Sequence, residues 1–351
     1  MEVEQTATGL VSNSPPAPTG CGTCSALSEK SKPSGIHIEI LPEKDTIEGA
    51  SLEPVITVEA RLQEKISPTE LQEFLWFACC HGSVNDIVLL LKAGADVNAV
   101  DEENYSALMF ACEWGYKDCV RVILAAGAKI DCVEHAERLS ALMISCKYGH
   151  PDIVQQLVEA GATLDMQCIE GNTALNKASE NGHADCVKVL LQAGASAELQ
   201  DQLGFTPLMS ACQNGHVECV RELVDAGVDL EVRNSQGVTA LMKAAQKGHE
   251  ECLEALLVAG AEVDARLPSG HTALIVSCQH GHDKCAKLLV EAGADAKLAR
   301  KNWYVPCPKS VRTKSRTRRR VLSLTNSNSP FASLRLSRVS ERRESQSDLE
   351  L

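Results

Sequence analysis

The sequence predicts an all-α solenoid, a stack of helix-turn-helix units joined by hairpin-like loops and flanked by disordered arms. Three observations carry that expectation. Glycine recurs at Gly94, Gly127, Gly161, Gly194, Gly227, Gly260 and Gly293, at intervals of 33, 34, 33, 33, 33 and 33 residues, and a fixed period of this length marks stacked repeats. A second column, Gly82, Gly115, Gly149, Gly182, Gly215, Gly248 and Gly281, precedes the first by 12 residues, so each unit holds two short segments. Aromatic residues make up only 3% of a chain that is 44% hydrophobic, and a core of Leu, Ala, Val and Cys suits closely packed helices.

From the N-terminus, residues 1–68 are rich in Pro, Ser, Gly and acids. That composition buries too little apolar surface to fold, so a disordered acidic arm is expected. The repeat domain follows at 69–300, with units at about 71–100, 101–134, 135–168, 169–201, 202–234, 235–267 and 268–300.

Unit 235–267 shows the logic of each. Thr239 is a good N-cap, its hydroxyl able to satisfy a free amide of the first turn. Leu241, Ala244 and Ala245 then form an apolar stripe on a short helix, which Gly248 ends by taking a left-handed backbone conformation. A second helix carries Leu253, Leu256 and Leu257 and stops at Gly260, and AEVDARLPSG returns as an extended loop with a turn. Isolated helices this short are marginal in water, so neighbouring units must supply the other wall of each stripe.

Residues 204–234, GFTPLMSACQNGHVECVRELVDAGVDLEVRN, resemble the ankyrin repeat, matching its G-x-T-P-L-x-x-A-x-x-x-G-H-x-x-x-V-x-x-L-x-x-x-G pattern almost position for position. The resemblance returns in register seven times. It implies a helix pair plus a hairpin-like loop per unit, stacked into a curved solenoid that binds protein partners on a concave face of loops and first helices. The family's usual His after T-P-L is replaced by Met109, Met143, Asn176, Met209, Met242 and Ile275, so that layer is expected to pack apolar and to lose the bond a histidine offers. The first unit lacks T-P-L and carries Phe74, Trp76 and Phe77 instead, as suits the end of a stack. Residues 301–308, including NWYVPC, begin an eighth unit in register. This half-unit either caps the stack or marks a different ending to a longer repeat array. Residues 309–351 are Ser- and Arg-rich without helical period, and a disordered basic tail is expected there.

Four units place His and Cys three apart, at His183/Cys186, His216/Cys219, His249/Cys252 and His282/Cys285, a spacing that could hold zinc if two further ligands converged. The best supply is the column Cys79, Cys112, Cys146, Cys212 and Cys278, but it holds Ser179 and Ala245 in two of those four units. Small residues exchanging at one position are what close helix packing predicts, and buried cysteines behave as small hydrophobes. The pairs therefore read as architecture, with no metal and no cofactor. No G-x-S-x-G elbow, phosphate loop, kinase motif or H-E-x-x-H occurs in the sequence, and a non-enzyme is expected. The opening MEVEQTATGL is acidic where a signal peptide is basic, and no apolar run is long enough to span a bilayer. The 16 cysteines then read as reduced thiols of a cytoplasmic or nuclear protein without a membrane partner.

Net charge is −13, divided as −6 over 1–70, −15 over 71–300 and +8 over 301–351. An acidic repeat domain should prefer a protein partner with a basic segment and should not bind nucleic acid directly, because phosphate contacts need Lys and Arg. A monomer is expected. The segment RTKSRTRRR (312–320) reads either as a nuclear-import signal or as a strand of charge that folds back on the acidic stack. Ser323, Ser337, Ser340 and Ser345 follow arginines and are candidate phosphorylation sites, where phosphate would cancel the tail's charge.

The residue before the inter-helix glycine reads His81, Trp114, Tyr148, Asn181, Asn214, Lys247 and His280, and the residue before the cap adds Tyr105 and Phe205. Because aromatics are scarce, the candidate partner contacts are Tyr105, Phe110, Trp114, Tyr148, Asn181, Phe205 and Asn214, with Trp114 and Tyr148 as anchors. The alternative is that these side chains cover their neighbours. LLKAGADVN (90–98) has the arrangement in which ankyrin repeats are modified by an asparaginyl hydroxylase, and the resemblance marks Asn98 as the residue. The expected function is a non-catalytic adaptor or scaffold. A nuclear regulator of a transcription factor and a regulatory fragment of a larger ankyrin-containing enzyme are the alternatives.

Overall fold

The computed structural model describes residues 66–296. The acidic arm up to residue 65, the half-unit 301–308, the tail 309–351 and the sites expected at Ser323, Ser337, Ser340 and Ser345 lie outside the described residues. Within them are seven consecutive helix pairs: α1 (Pro68–His81) with α2 (Val84–Lys92), α3 (Ala107–Glu113) with α4 (Lys117–Ala125), α5 (Ala141–Tyr148) with α6 (Pro151–Glu159), α7 (Ala174–Asn181) with α8 (Ala184–Gln192), α9 (Pro207–Asn214) with α10 (Val217–Asp225), α11 (Ala240–Lys247) with α12 (Glu250–Ala259), and α13 (Ala273–Gln279) with α14 (Asp283–Glu291). No strand occurs among the described residues, only a β-bridge between Val100 and Ser106. The architecture is an all-α repeat solenoid.

Side-chain chemistry explains where each first helix begins. The hydroxyls of Ser106, Ser140, Thr173, Thr206 and Thr239 accept from the amide three residues on, at 3.3–3.4 Å, satisfying one free donor of each first turn. At α1 the cap is a full capping box: Ser67 Oγ accepts from Glu70 N at 3.2 Å, and Glu70 Oε2 accepts from Ser67 N at 2.8 Å. Glycines at φ between 71° and 82° end α1, α5, α7, α9 and α11.

The chain divides into two compact units after His135. In the first, α1 packs on α2 and α3, and α4 packs on α2 and α3. In the second, α5, α7, α9, α11 and α13 stack in chain order, each against its own partner helix, while α6, α8, α10, α12 and α14 form a second row. Leucine columns fill both rows. Leu75, Leu108, Leu142, Leu175, Leu208, Leu241 and Leu274 on the first helices are at most 3% exposed. Leu90, Ile123, Leu157, Leu190, Leu223, Leu256 and Leu289 on the second helices are fully buried. Each such side chain contributes about 2 kcal/mol of apolar burial, which a single short helix could not supply alone.

The column that replaces the family's histidine is buried throughout, Met109, Met143, Met209, Met242 and Ile275 among apolar neighbours. Asn176 is the exception to the expectation that the bond is lost there. It is fully buried, its Nδ2 donates to Phe205 O at 3.3 Å in the next repeat, and its Oδ1 accepts from Thr173 Oγ1 at 2.9 Å. A buried amide must find partners, and here it finds them on both sides of the repeat boundary.

Candidate protein-binding face

The hairpin tips are positioned by short-range hydrogen bonds from an acid or amide. Asp201 Oδ1 accepts from Leu203 N at 2.9 Å and Phe205 N at 2.7 Å, and Asn234 Oδ1 accepts from Gln236 N at 3.0 Å and Val238 N at 2.9 Å. Asp101 does the same in the first unit with Glu103 N and Tyr105 N. Burial raises its carboxyl above the ordinary range, against the lowering effect of those two amides. Successive tips are joined by backbone bonds: Ile169 N to Glu137 O, Gln202 N to Glu170 O and Ser235 N to Leu203 O, at 2.9–3.2 Å. Gln167 and Gln200 each donate from Nε2 to the carbonyl 33 residues ahead, at 3.2 and 3.1 Å, and Arg233 donates to Arg266 O at 2.7 Å. The tips therefore form a braced edge beside the first helices.

A second brace was not read from the sequence. Asp165, Glu198, Glu231 and Asp264 each accept from the backbone amide 31 residues ahead, at 2.7–3.0 Å. Asn98 opens the column in the first unit, its Oδ1 accepting from Lys129 N at 2.7 Å while its Nδ2 donates to Gly127 O at 3.3 Å. The available signal was a side-chain oxygen recurring at the repeat period.

The histidines of the His-x-x-Cys pairs lie across repeat boundaries. Nε2 of His183, His216, His249 and His282 faces the carbonyl 36 residues back, at 3.0–3.1 Å, and must carry the proton to donate there. Each ring also lies against the glycine that ends the preceding first helix. Tyr116 fills the same role in the first unit, its ring against Gly82. The cysteines of both columns are buried. Burial pushes the Cys119, Cys252 and Cys285 thiols up to about 11 and Cys219 to about 12. Among the described residues no group of three or more His, Cys, Asp and Glu is arranged to hold a metal ion, and no helix is long and apolar enough to cross a membrane.

The expected partner contacts separate into three kinds. Phe110 is a correction: it is fully buried inside α3, with the Tyr105 ring 4.7 Å away, and cannot meet a partner. It follows its cap by four residues, which turns it inward under the hairpin. Tyr105, Trp114, Tyr148 and Phe205 are half-buried, and Asn181 and Asn214 are exposed. Tyr105 donates its hydroxyl to Glu113 Oε2 at 2.9 Å. Asn181 Nδ2 donates to Lys177 O of its own helix at 2.8 Å, and Asn214 Nδ2 donates across the repeat boundary to Glu180 O of α7 at 2.9 Å. Trp114 lies in the first unit and Tyr148 in the second.

Two buried lysines were missed, because charge on a first helix reads as solvated surface. Lys177 is 7% exposed and sits among Glu170 Oε2 at 3.3 Å, Glu180 Oε2 at 3.8 Å and Glu137 Oε2 at 3.9 Å, with Lys147 also on Glu137 at 3.3 Å. Burial disfavours its charge, but Glu180 and Glu170 outweigh burial and hold its pKa above the ordinary value. Lys243 is 9% exposed and places its ammonium over the Phe205 ring, 4.7 Å from the centroid. On the same helix Met242 and Gln246, with Val238, Leu267 and Val276, line a cleft of about 330 Å³.

Known proteins share this pattern. The family model for ankyrin repeats in three copies matches residues 55–134, 128–201, 193–267 and 231–302. Among solved structures, the human ASB11 ankyrin repeat domain is similar at 26% identity and a TM-score of 0.58, over 63% of this chain and 97% of that one. No curated protein sequence matches the chain significantly. With hydroxyl caps, left-handed glycines and inter-repeat histidines recurring at the period the family model recognises, the chain belongs to the ankyrin-repeat family.

Proposed function

We propose that the protein is a non-catalytic adaptor that holds a segment of a partner protein along its hairpin edge and first helices. Ankyrin repeats are in general protein–protein interaction modules, and one observation supports this use here. The packing positions of the second unit repeat the same residue types, a Ser or Thr cap, a buried Leu and a left-handed Gly in most units. The outward position at the end of the first helix instead reads Tyr148, Asn181, Asn214, Lys247 and His280. The fold acts on every repeat alike yet accepts five different residue types at that position, which is where specificity can be written.

The net charge of −15 over 71–300 favours a partner segment that is basic overall and disfavours direct nucleic-acid binding. The basic tail competes for that face, and phosphorylation at Ser323, Ser337, Ser340 or Ser345 releases it. The protein acts as a monomer in the cytoplasm or nucleus. A quantitative pull-down compares the full chain, Tyr148→Asp with His280→Asp, an α12 variant Glu254→Lys, and a chain ending at Arg300. The first-helix pair loses the captured partners, the α12 variant keeps them, and the shorter chain captures them more strongly. Partners indifferent to the first-helix pair would overturn the reading.

A further inference from the structure

Lys177 and Lys243 occupy the same position two repeats apart, the fourth residue after the cap on α7 and α11, and both are at least nine-tenths buried. Their surroundings differ in a regular way. The three carboxylates around Lys177 are Glu137 and Glu170 from successive hairpin tips and Glu180 from its own helix. Carried forward two repeats, these positions become Leu203, Gln236 and Gln246. Every acid that neutralises the first lysine is replaced by a neutral residue around the second. Among the described residues no carboxylate lies within ion-pair distance of Lys243. Its one close polar contact is the Phe205 ring face, which offsets only part of the cost of burying an ammonium. Burial and the nearby Lys247 hold its pKa below the ordinary lysine value.

The Lys177 arrangement shows what such a position accepts. That lysine side chain is 7% exposed, yet its three glutamates are 43–62% exposed, so carboxylates reach the buried lysine from the solvent side. At Lys243 the same approach is open. Gln236 and Gln246, at the positions of the Glu170 and Glu180 that reach Lys177, carry amides that can donate where the glutamates accepted, and these two also border the apolar cleft formed by Val238, Met242, Leu267 and Val276. Lys243 is next to Met242 and three residues before Gln246 on α11, so the lysine and two lining residues of the cleft share one helix.

We infer that this is an anchor site for a partner segment carrying an aspartate or glutamate beside an aliphatic residue, the carboxylate on Lys243 and the aliphatic side chain in the cleft. The inference rests on the binding face proposed above and adds one acidic–aliphatic anchor to a segment that is otherwise basic. The anchor also orients the segment, its acid toward α11 and its bases toward the glutamates at the hairpin tips of 137 and 170.

Random peptides displayed on phage and selected on the full chain test it. Selected peptides should be enriched in Asp or Glu next to Leu, Ile, Val or Met, and replacing that acid by its amide should weaken them at least tenfold in fluorescence anisotropy. The deciding variant is Gln236→Glu with Gln246→Glu, which rebuilds the Lys177 arrangement around Lys243. It should bind the acidic peptides at least tenfold more weakly while unfolding at an equal or higher urea concentration, so loss of binding is not loss of fold. Peptides without the acid, or acidic peptides bound equally by this variant, overturn the anchor; if they are still lost on Tyr148→Ala with His280→Ala, the binding face itself stands. Peptides indifferent to all these variants, or a selection that yields none, overturn both.

Discussion

His216 lies against Gly182 of the preceding repeat. A β-carbon at Gly182 would stand 2.5 Å from its Nδ1, and its Nε2 donates to Glu180 O at 3.0 Å. Gly182 also has φ +82°, so the glycine is required twice, by its backbone and by the ring above it. Gly182→Ala should destabilise the stack by about 2 kcal/mol, and His216→Ala by about 1 kcal/mol through the lost hydrogen bond. In a double-mutant cycle by urea unfolding the two should couple, with Gly182→Ala costing less once the ring is gone. Strict additivity would show that the ring does not constrain the glycine.

His183 makes the same contact one repeat earlier and adds a pH dependence. Burial lowers its pKa from the ordinary histidine value, His150 and His216 lower it further, and the Lys147 carbonyl opposes them. The unfolded chain therefore binds the proton more tightly than the folded one. The stability this neutral histidine contributes is present above pH about 6.5 and lost as pH falls from there toward the lowered folded value. Urea midpoints should drop between pH 7 and pH 5, and His183→Gln should flatten that part of the profile. An unchanged slope would assign the effect elsewhere.

Thiol chemistry follows from the packing. Only the thiolate is a good nucleophile, and burial raises Cys119, Cys212, Cys219, Cys252 and Cys285 out of reach at neutral pH. Among the 13 described cysteines Cys132 alone is half-exposed, the others being buried. A brief iodoacetamide pulse on the native protein, read by mass spectrometry, should label Cys132 and leave those five intact until urea is added. Fast labelling of Cys186 or Cys219 would mean that the stack opens there.

Asn98 closes the loop between α2 and α3 onto the following one through Lys129 N and Gly127 O. Asn98→Ala should cost about 1 kcal/mol, and Asn98→Asp less, since an aspartate at the same position of a later repeat, Asp165, makes the equivalent bond at 3.0 Å. We also propose Asn98 as the hydroxylation site that the ankyrin pattern marks. A mass spectrum showing it unmodified in cells that express an asparaginyl hydroxylase would sink that assignment.

Period, caps and glycines made the repeat units legible from the chain alone, because each is a local requirement. A hydroxyl caps the amide three residues on, a left-handed turn admits glycine, and a two-turn helix needs an apolar stripe. The reading of His-x-x-Cys as architecture belongs to this level too, since the columns alternate Cys with Ser179 and Ala245.

What the tertiary structure decided is which side chains each position actually meets, within its repeat and across to the next. Phe110 and Lys243 stand at the same position of two first helices, α3 and α11, and a pattern of residue types could not say that the first is sealed under Tyr105 while the second holds a buried charge against Phe205. Nor could it say that Lys177 is neutralised and Lys243 is not, since that difference lies in Glu137, Glu170 and Glu180 against Leu203, Gln236 and Gln246. Local chemistry sets the unit, and it repeats. Stacking adds contacts that no single unit contains, such as Glu137 on Lys177 and the Phe205 ring under Lys243.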